Sequence, residues 1–190
     1  MNASRTGNKG FTLVELLIVV AIIAIAGAIA APGISQMRQN TALKTEARDL
    51  LSAFHTARLE AVSRNTDVTI SFIKGAYSPA GGVGEYTVFI DNNNDLVVDP
   101  SDGNRLPDAG EEVILRKTIG AGVSMPLSAN SDFPGASPAM WTGFSYRGLP
   151  LSGATPKGVV LQNANSRFYR LEMSPTGTVR TRQSSTDNWN

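Results

Sequence analysis

The run from Phe11 to Ala31, apolar or small throughout except for Thr12 and Glu15, limits what this chain can become. At about 1.5 Å of helical rise per residue it is long enough to cross the roughly 30 Å hydrocarbon core of a bilayer. A carboxylate inside such a run costs roughly 2.5–3.5 kcal/mol on insertion scales, and intramembrane carboxylates usually have a partner and mark function. Glu15 therefore needs a partner, and its position near the start of the run says where to look for one.

The residues ahead of the run are polar and basic. Met1–Gly10 carries Arg5 and Lys9, no acid, and ends in glycine. A secretory signal places its small-residue cleavage site after the apolar core; here the glycine precedes it. A cut between Gly10 and Phe11 leaves the hydrophobic segment at the new N-terminus. By the positive-inside rule Arg5 and Lys9 hold that end in the cytoplasm, and the chain beyond Pro32 faces the other side.

The segment "KGFTLVELLIVVAIIAIAGAIAAP" resembles the type IV prepilin signature shared by type IV pilins, type II secretion pseudopilins and competence pilins. The resemblance implies cleavage after Gly10 by a membrane-embedded prepilin peptidase and N-methylation of Phe11. It also implies that Glu15, fifth after the cut, pairs with the terminal ammonium of a neighbouring subunit during filament assembly. Proteolysis creates a cation at Phe11 and a staggered neighbour brings it to Glu15; each charge is costly alone in lipid and the two offset one another in a low dielectric. Pro32 matches the proline that bends the helix in pilins, and proline removes one i→i−4 bond.

From Ser35 to Arg64 no proline or glycine interrupts the chain. Ala47, Leu50, Phe54, Ala57 and Ala61 recur at helical spacing, with Leu51 and Val62 widening the stripe, which predicts an amphipathic helix lying on a sheet. Lys44, Arg48, Asp49, Arg58 and Glu60 form its polar face. After "SRNT" the period changes to two. Strands are expected at Asp67–Ile73, Glu85–Asp91, Glu111–Ile119, Thr142–Gly148, Gly158–Ala164, Ser166–Met173 and Gly177–Arg182, with tight hairpins at "QNANSR" and "SPTG". The fold class is α+β, a long N-terminal helix packed on antiparallel sheet, pilin-like. The expected organisation is a cleaved leader 1–10, a membrane and assembly helix 11–32, its amphipathic continuation 33–65, a β-rich head 66–182 and a tail 183–190.

Two stretches carry a narrower resemblance. "ARLEA" (Ala57–Ala61) leads into the first strand, and "FIDNNNDLVVDPSDGNRLPDAGEEVILR" crosses to a later one. Both resemble the H-type pseudopilins and the FimT/FimU-type minor pilins. The implied role is a minor structural subunit that initiates, primes or tips a filament. A type II secretion pseudopilin and a DNA-binding competence pilin are the alternatives. The implied partners are other pilin or pseudopilin subunits, prepilin peptidase, the inner-membrane assembly machinery and the membrane itself, with DNA added in the last case. The implied location is the inner membrane, single-pass with the head periplasmic, and then the filament.

Charge is nearly balanced overall, at +1, but unevenly placed. Between Glu85 and Glu112 lie eight acids and one base; from Arg147 onward lie six bases and two acids. In the acidic stretch Asp91, Asn93, Asp95, Asp99 and Asp102 fall at positions 1, 3, 5, 9 and 12 of a loop, the spacing of oxygen ligands in an EF-hand. Leu96 stands where the turn needs glycine and Asp102 where the longer Glu is usual, so a polar connection built on Asx-turns is favoured over a Ca²⁺ site. Ca²⁺ is the sole candidate ion, and no other cofactor is expected. In the basic stretch Arg180 and Arg182 share a strand face, and with Arg167 and Arg170 they form a candidate DNA-binding set of the salt-sensitive, phosphate-contacting kind; a solvated charged face is favoured over it. There is no cysteine, which excludes disulfides and thiolate chemistry. The single histidine, His55, lies one step off the helix seam, and no catalytic motif is present, so no enzymatic activity is expected. Trp141 and Tyr146 read as core or interface.

Overall fold

A computed structural model describes residues 11–91, 107, 110–127, 139–151 and 157–186. A single helix, α1 (Leu13–Arg64), is followed by eight strands: β1 (Val68–Ile73), β2 (Glu85–Ile90), β3 (Val113–Thr118), β4 (Val123–Ser124), β5 (Ala139–Phe144), β6 (Lys157–Asn163), β7 (Phe168–Met173) and β8 (Val179–Ser184). Two compact units divide the chain, one ending at Met37 and one beginning at Arg38.

The second unit is a helix on two four-stranded antiparallel sheets, ordered β3-β2-β1-β5 and β4-β6-β7-β8. Alternation along β1 explains the packing. Val68, Ile70 and Phe72 are buried in the same cluster as the helix residues Leu43, Ala47, Leu50, Phe54, Ala57 and Ala61. Phe54 and Phe72 meet at 6.0 Å between ring centroids. Small residues at 47, 57 and 61 let the helix backbone approach the sheet, while Leu50 and Phe54 supply area at about 1.5–3 kcal/mol per buried side chain. From the second sheet Val159, Leu161, Leu171 and Met173 close the same core.

The helix stops at Arg64 for a local reason. Asn65 takes a left-handed φ of 52°. The Thr66 N–H then donates to the Ala61 carbonyl at 3.2 Å, the C″→C3 bond of a Schellman motif. Both C-terminal hairpins share one turn design. In β7–β8 the Gly177 N–H donates to Ser174 O and the Ser174 N–H to Thr178 O, both at 2.9 Å, with Gly177 at φ 79°. In β6–β7 the same pattern links Asn163, Ser166 and Arg167, with Ser166 in the left-handed position. These are three-residue loops closed by a G1-type bulge.

Several expectations change. Val62 does not widen the buried stripe; it is exposed, and Leu43 and Ala53 are buried instead. The strand expected at Thr142–Gly148 starts three residues earlier and ends four residues earlier, because the chain turns at Ser145–Gly148, where the Gly148 N–H donates to Ser145 O at 2.7 Å. β4, two residues long, has no counterpart among the expected strands. Trp141 is buried, whereas Tyr146 is exposed with Arg147 stacked 5.2 Å from its ring centre. His55 is exposed.

Candidate functional site

The first unit holds the feature that needs explaining. Its large apolar side chains from Phe11 to Met37 are all exposed, Phe11 by 82% and Leu17 by 59%. The helix contains an 18-residue window long and apolar enough to cross a membrane, none of it buried within the chain. Burying that surface requires lipid or other protein.

Thr12 begins this helix. Its Oγ1 accepts the Glu15 N–H at 3.2 Å, and its carbonyl accepts the Leu16 N–H at 3.2 Å. Thr12 is therefore the N-cap and Glu15 the third helical residue, the T-x-x-E spacing of a capping box. Phe11 and Leu16 occupy the two positions of a hydrophobic staple. The T-x-x-E spacing is the sequence signal for this cap, and the apolar run around it masks that signal. It places the carboxylate in the first turn, where the positive end of the helix dipole favours it. Among the described residues no cation pairs with Glu15, so the local structure leaves it able to take a partner from outside. Gly10 lies outside the described residues. The helical assignment continues through Pro32.

In the second unit three polar clusters tie the helix to the sheets. Lys117 Nζ on β3 reaches Glu46 Oε2 at 3.0 Å and Asp49 Oδ2 at 2.6 Å, while Glu46 Oε1 accepts the Gly120 N–H at 3.2 Å. Burial works to lower the Lys117 pKa, but the hydrogen bonds to Asp49 and Glu46 outweigh it and the net shift is upward. Beside this cluster burial pushes the Tyr86 phenol up to about 12. Asn40 Oδ1 accepts from Asn163 Nδ2 at 2.9 Å and from Asn165 Nδ2 at 3.2 Å, clasping the β6–β7 hairpin to the helix. At the helix end Arg64 pairs with Glu60 and with Glu112, which leads into β3.

The other candidate sites fare differently. Asp91 is buried, and its N–H donates to Asp67 O at 3.3 Å. Asn93, Asp95, Asp99 and Asp102 lie outside the described residues. Among the described residues no cluster of three or more acids or histidines fits a metal ion. The four arginines do not form one patch. Arg170 is 8% exposed and faces Arg182 across β7–β8, with its Nε 2.7 Å from where a side chain on Gly158 would begin. The groove left by Gly158 accepts its guanidinium, so Arg170 is not available to a phosphate backbone. Arg180 and Arg182 are exposed, with Arg182 3.8 Å from Glu172. Arg167 sits in the β6–β7 turn, where its N–H donates to Asn163 Oδ1.

A long, apolar N-terminal helix on antiparallel sheets, begun at a capped Thr12 with a carboxylate in its first turn, defines the pilin-like class. Residues 5–31 match the prokaryotic N-terminal methylation motif, and residues 46–177 match the family described as Type II transport protein GspH. The pilin-like protein PilA1 of Thermus thermophilus is 31% identical over 173 residues, covering 84% of this chain and 97% of that one. The crystal structure of the type IV minor pilin FimU of Pseudomonas aeruginosa superimposes with a TM-score of 0.50 at 14% identity, covering 78% of this chain and 93% of that one, which shows a shared fold. The chain belongs to the GspH family: it is a minor pilin or pseudopilin of a type IV pilus or type II secretion system, and a structural protein rather than an enzyme. Membership implies processing by prepilin peptidase and assembly with other pilins.

Proposed function

We propose that this chain is a minor subunit of a type IV pilus, acting where the filament is initiated, primed or tipped. In this reading it is inserted in the inner membrane with its N-terminus cytoplasmic and its head periplasmic. Prepilin peptidase cuts between Gly10 and Phe11 and methylates Phe11. Glu15 then receives the terminal ammonium of an adjoining subunit as the apolar helices come together, and the pairing sets their axial register.

The observation that carries this reading is a single carboxylate among exposed apolar side chains, with no cation beside it among the described residues. In lipid such a group is stabilised by an opposite charge at close range. Cleavage after Gly10 creates such a charge at Phe11, four positions from Glu15. The test has two parts. Mass spectrometry of the purified chain is expected to find it lighter by the ten leader residues and heavier by one methyl group on Phe11. Glu15→Ala is expected to reduce recovery in sheared filaments by at least about tenfold with membrane insertion unchanged, since unpairing a buried charge costs about 3–5 kcal/mol. A chain that starts at Met1, or a Glu15→Ala chain that enters filaments like the parent, overturns it.

The match of residues 46–177 to the GspH family favours a second reading, a type II secretion pseudopilin using the same Phe11–Glu15 chemistry. Deleting the gene separates the two: loss of surface pili with protein secretion intact supports the pilus, and the reverse supports the pseudopilus.

A further inference from the structure

Each of the two sheets ends in two edge strands, and three of these four edges are blunted. β4 is two residues long, with Val83 bridged to its Ser124 and Gly81 bridged to Ala121 just before it. β5 has the segment after it folded back along its edge, with Phe144 bridged to Pro150 and the Leu151 N–H donating to Gly143 O at 3.0 Å. β3 carries a register irregularity opposite Val88–Phe89, and its charges are engaged: Arg116 with Glu85, Lys117 with Glu46 and Asp49. Bulges, short strands and covering segments are the usual defences of a sheet edge.

β8 is neither short nor bulged, and no described segment covers it. It runs six residues in unbroken register with β7, from Val179 opposite Met173 to Ser184 opposite Phe168. Nothing among the described residues pairs with its outer side, and Arg180 through Gln183 are exposed. The hairpin fixes which backbone groups face outward. Ser174 and Thr178 form a hydrogen-bonded pair at the turn. Alternation along an antiparallel ladder then aims the peptide groups of Arg180, Arg182 and Ser184 at β7 and those of Val179, Thr181 and Gln183 away from it. Arg180 and Arg182 share the face that carries Glu172, whose single charge lies opposite Arg180 and 3.8 Å from Arg182. The edge therefore combines three outward peptide groups that no described residue pairs with and an excess of positive charge.

We infer that the outer edge of β8 is a strand-addition site for an extended, acidic segment of a neighbouring filament subunit of a different kind. Main-chain bonds supply the attachment and the two arginines supply the selection. A second copy of β8 is disfavoured, because arginines would then face arginines across the new ladder, whereas acidic side chains opposite them are stabilising. That the partner is a filament subunit rests on the reading above; the site itself does not involve Phe11 or Glu15.

The probe is a blocked peptide of alternating valine and glutamate, added to the full chain in detergent micelles, with amide exchange followed residue by residue. Exchange at Val179, Thr181 and Gln183 is expected to slow by about tenfold, with Arg180 and Arg182 little changed because their amides already bond to β7. Thr181→Pro, which removes one outward N–H and no ladder bond, is expected to abolish the effect while leaving the melting temperature within about 2 °C of the parent. Arg180→Glu with Arg182→Glu is expected to shift preference to a blocked peptide of alternating valine and lysine. No protection, protection without the alternation, or equal protection in Thr181→Pro overturns the proposal. So does tighter binding of duplex DNA than of the peptide, which would make these arginines a phosphate surface, and so does concentration-dependent self-pairing through β8. None of these results bears on Glu15, so the filament reading stands or falls separately.

Discussion

The two halves of α1 obey the same helical geometry and differ in what they do with apolar side chains. From Arg38 to Arg64 the helix buries one face, with Leu43, Leu50 and Phe54 at 1% exposure or less, and gives the other to water. Before Met37 it has no such division: leucine, isoleucine and valine are exposed all round. A helix that is apolar on every side has no stable place in water as a monomer. The second half is finished by its own sheets, while no described residue covers the first half. Folding and assembly are thus assigned to consecutive stretches of one element.

Substitution separates the halves most sharply where burial differs most. Phe54→Ala is expected to destabilise the head by about 3–5 kcal/mol, the range for deleting a buried aromatic ring, and to lower its melting temperature accordingly. Leu17→Ala, a deletion at a position 59% exposed, is expected to leave the melting temperature of the head unchanged. Equal effects of the two would erase the distinction. A smaller effect locates the start of the packed half. Asn40→Ala removes the acceptor shared by Asn163 and Asn165 and is expected to cost about 1–2 kcal/mol, read as a drop in melting temperature and faster amide exchange in the β6–β7 turn.

The smallest effect concerns pH. Tyr86 is raised to about 12 in the folded chain by burial, above its ordinary value near 10. A phenol with a raised folded pKa contributes stability that is fully present below pH 10 and is lost as pH rises from there toward 12. Lys117, also raised, acts in the same direction at alkaline pH. The head is therefore expected to lose stability above about pH 10, and Tyr86→Phe is expected to flatten that slope in melts recorded between about pH 9 and pH 11.

Legibility in the sequence followed the length of each signal. The helix terminus at Arg64 is readable because the apolar stripe ends and polar "SRNT" follows, and the structure supplies the mechanism through Asn65. Most of the long strands stand out by alternation within a residue or two of their ends. β4 does not, since two residues have no period. β5 is read too late because "TGFSYRG" keeps alternating through a turn that only the Ser145–Gly148 hydrogen bond reveals. The division into two sheets leaves no mark, as a hairpin reads alike in either. The buried state of Arg170 is equally hidden: it depends on Gly158, a cross-strand neighbour twelve positions away. At the N-terminus the chemistry is visible in Glu15, while the cap made by Thr12 hides among the apolar residues around it.

That cap has a consequence for maturation. In the cleavage proposed above, the hydroxyl that closes the first turn belongs to the second residue of the processed chain, so that turn starts from an atom on the retained side of the cut. A cut there leaves the Thr12 cap bond in place.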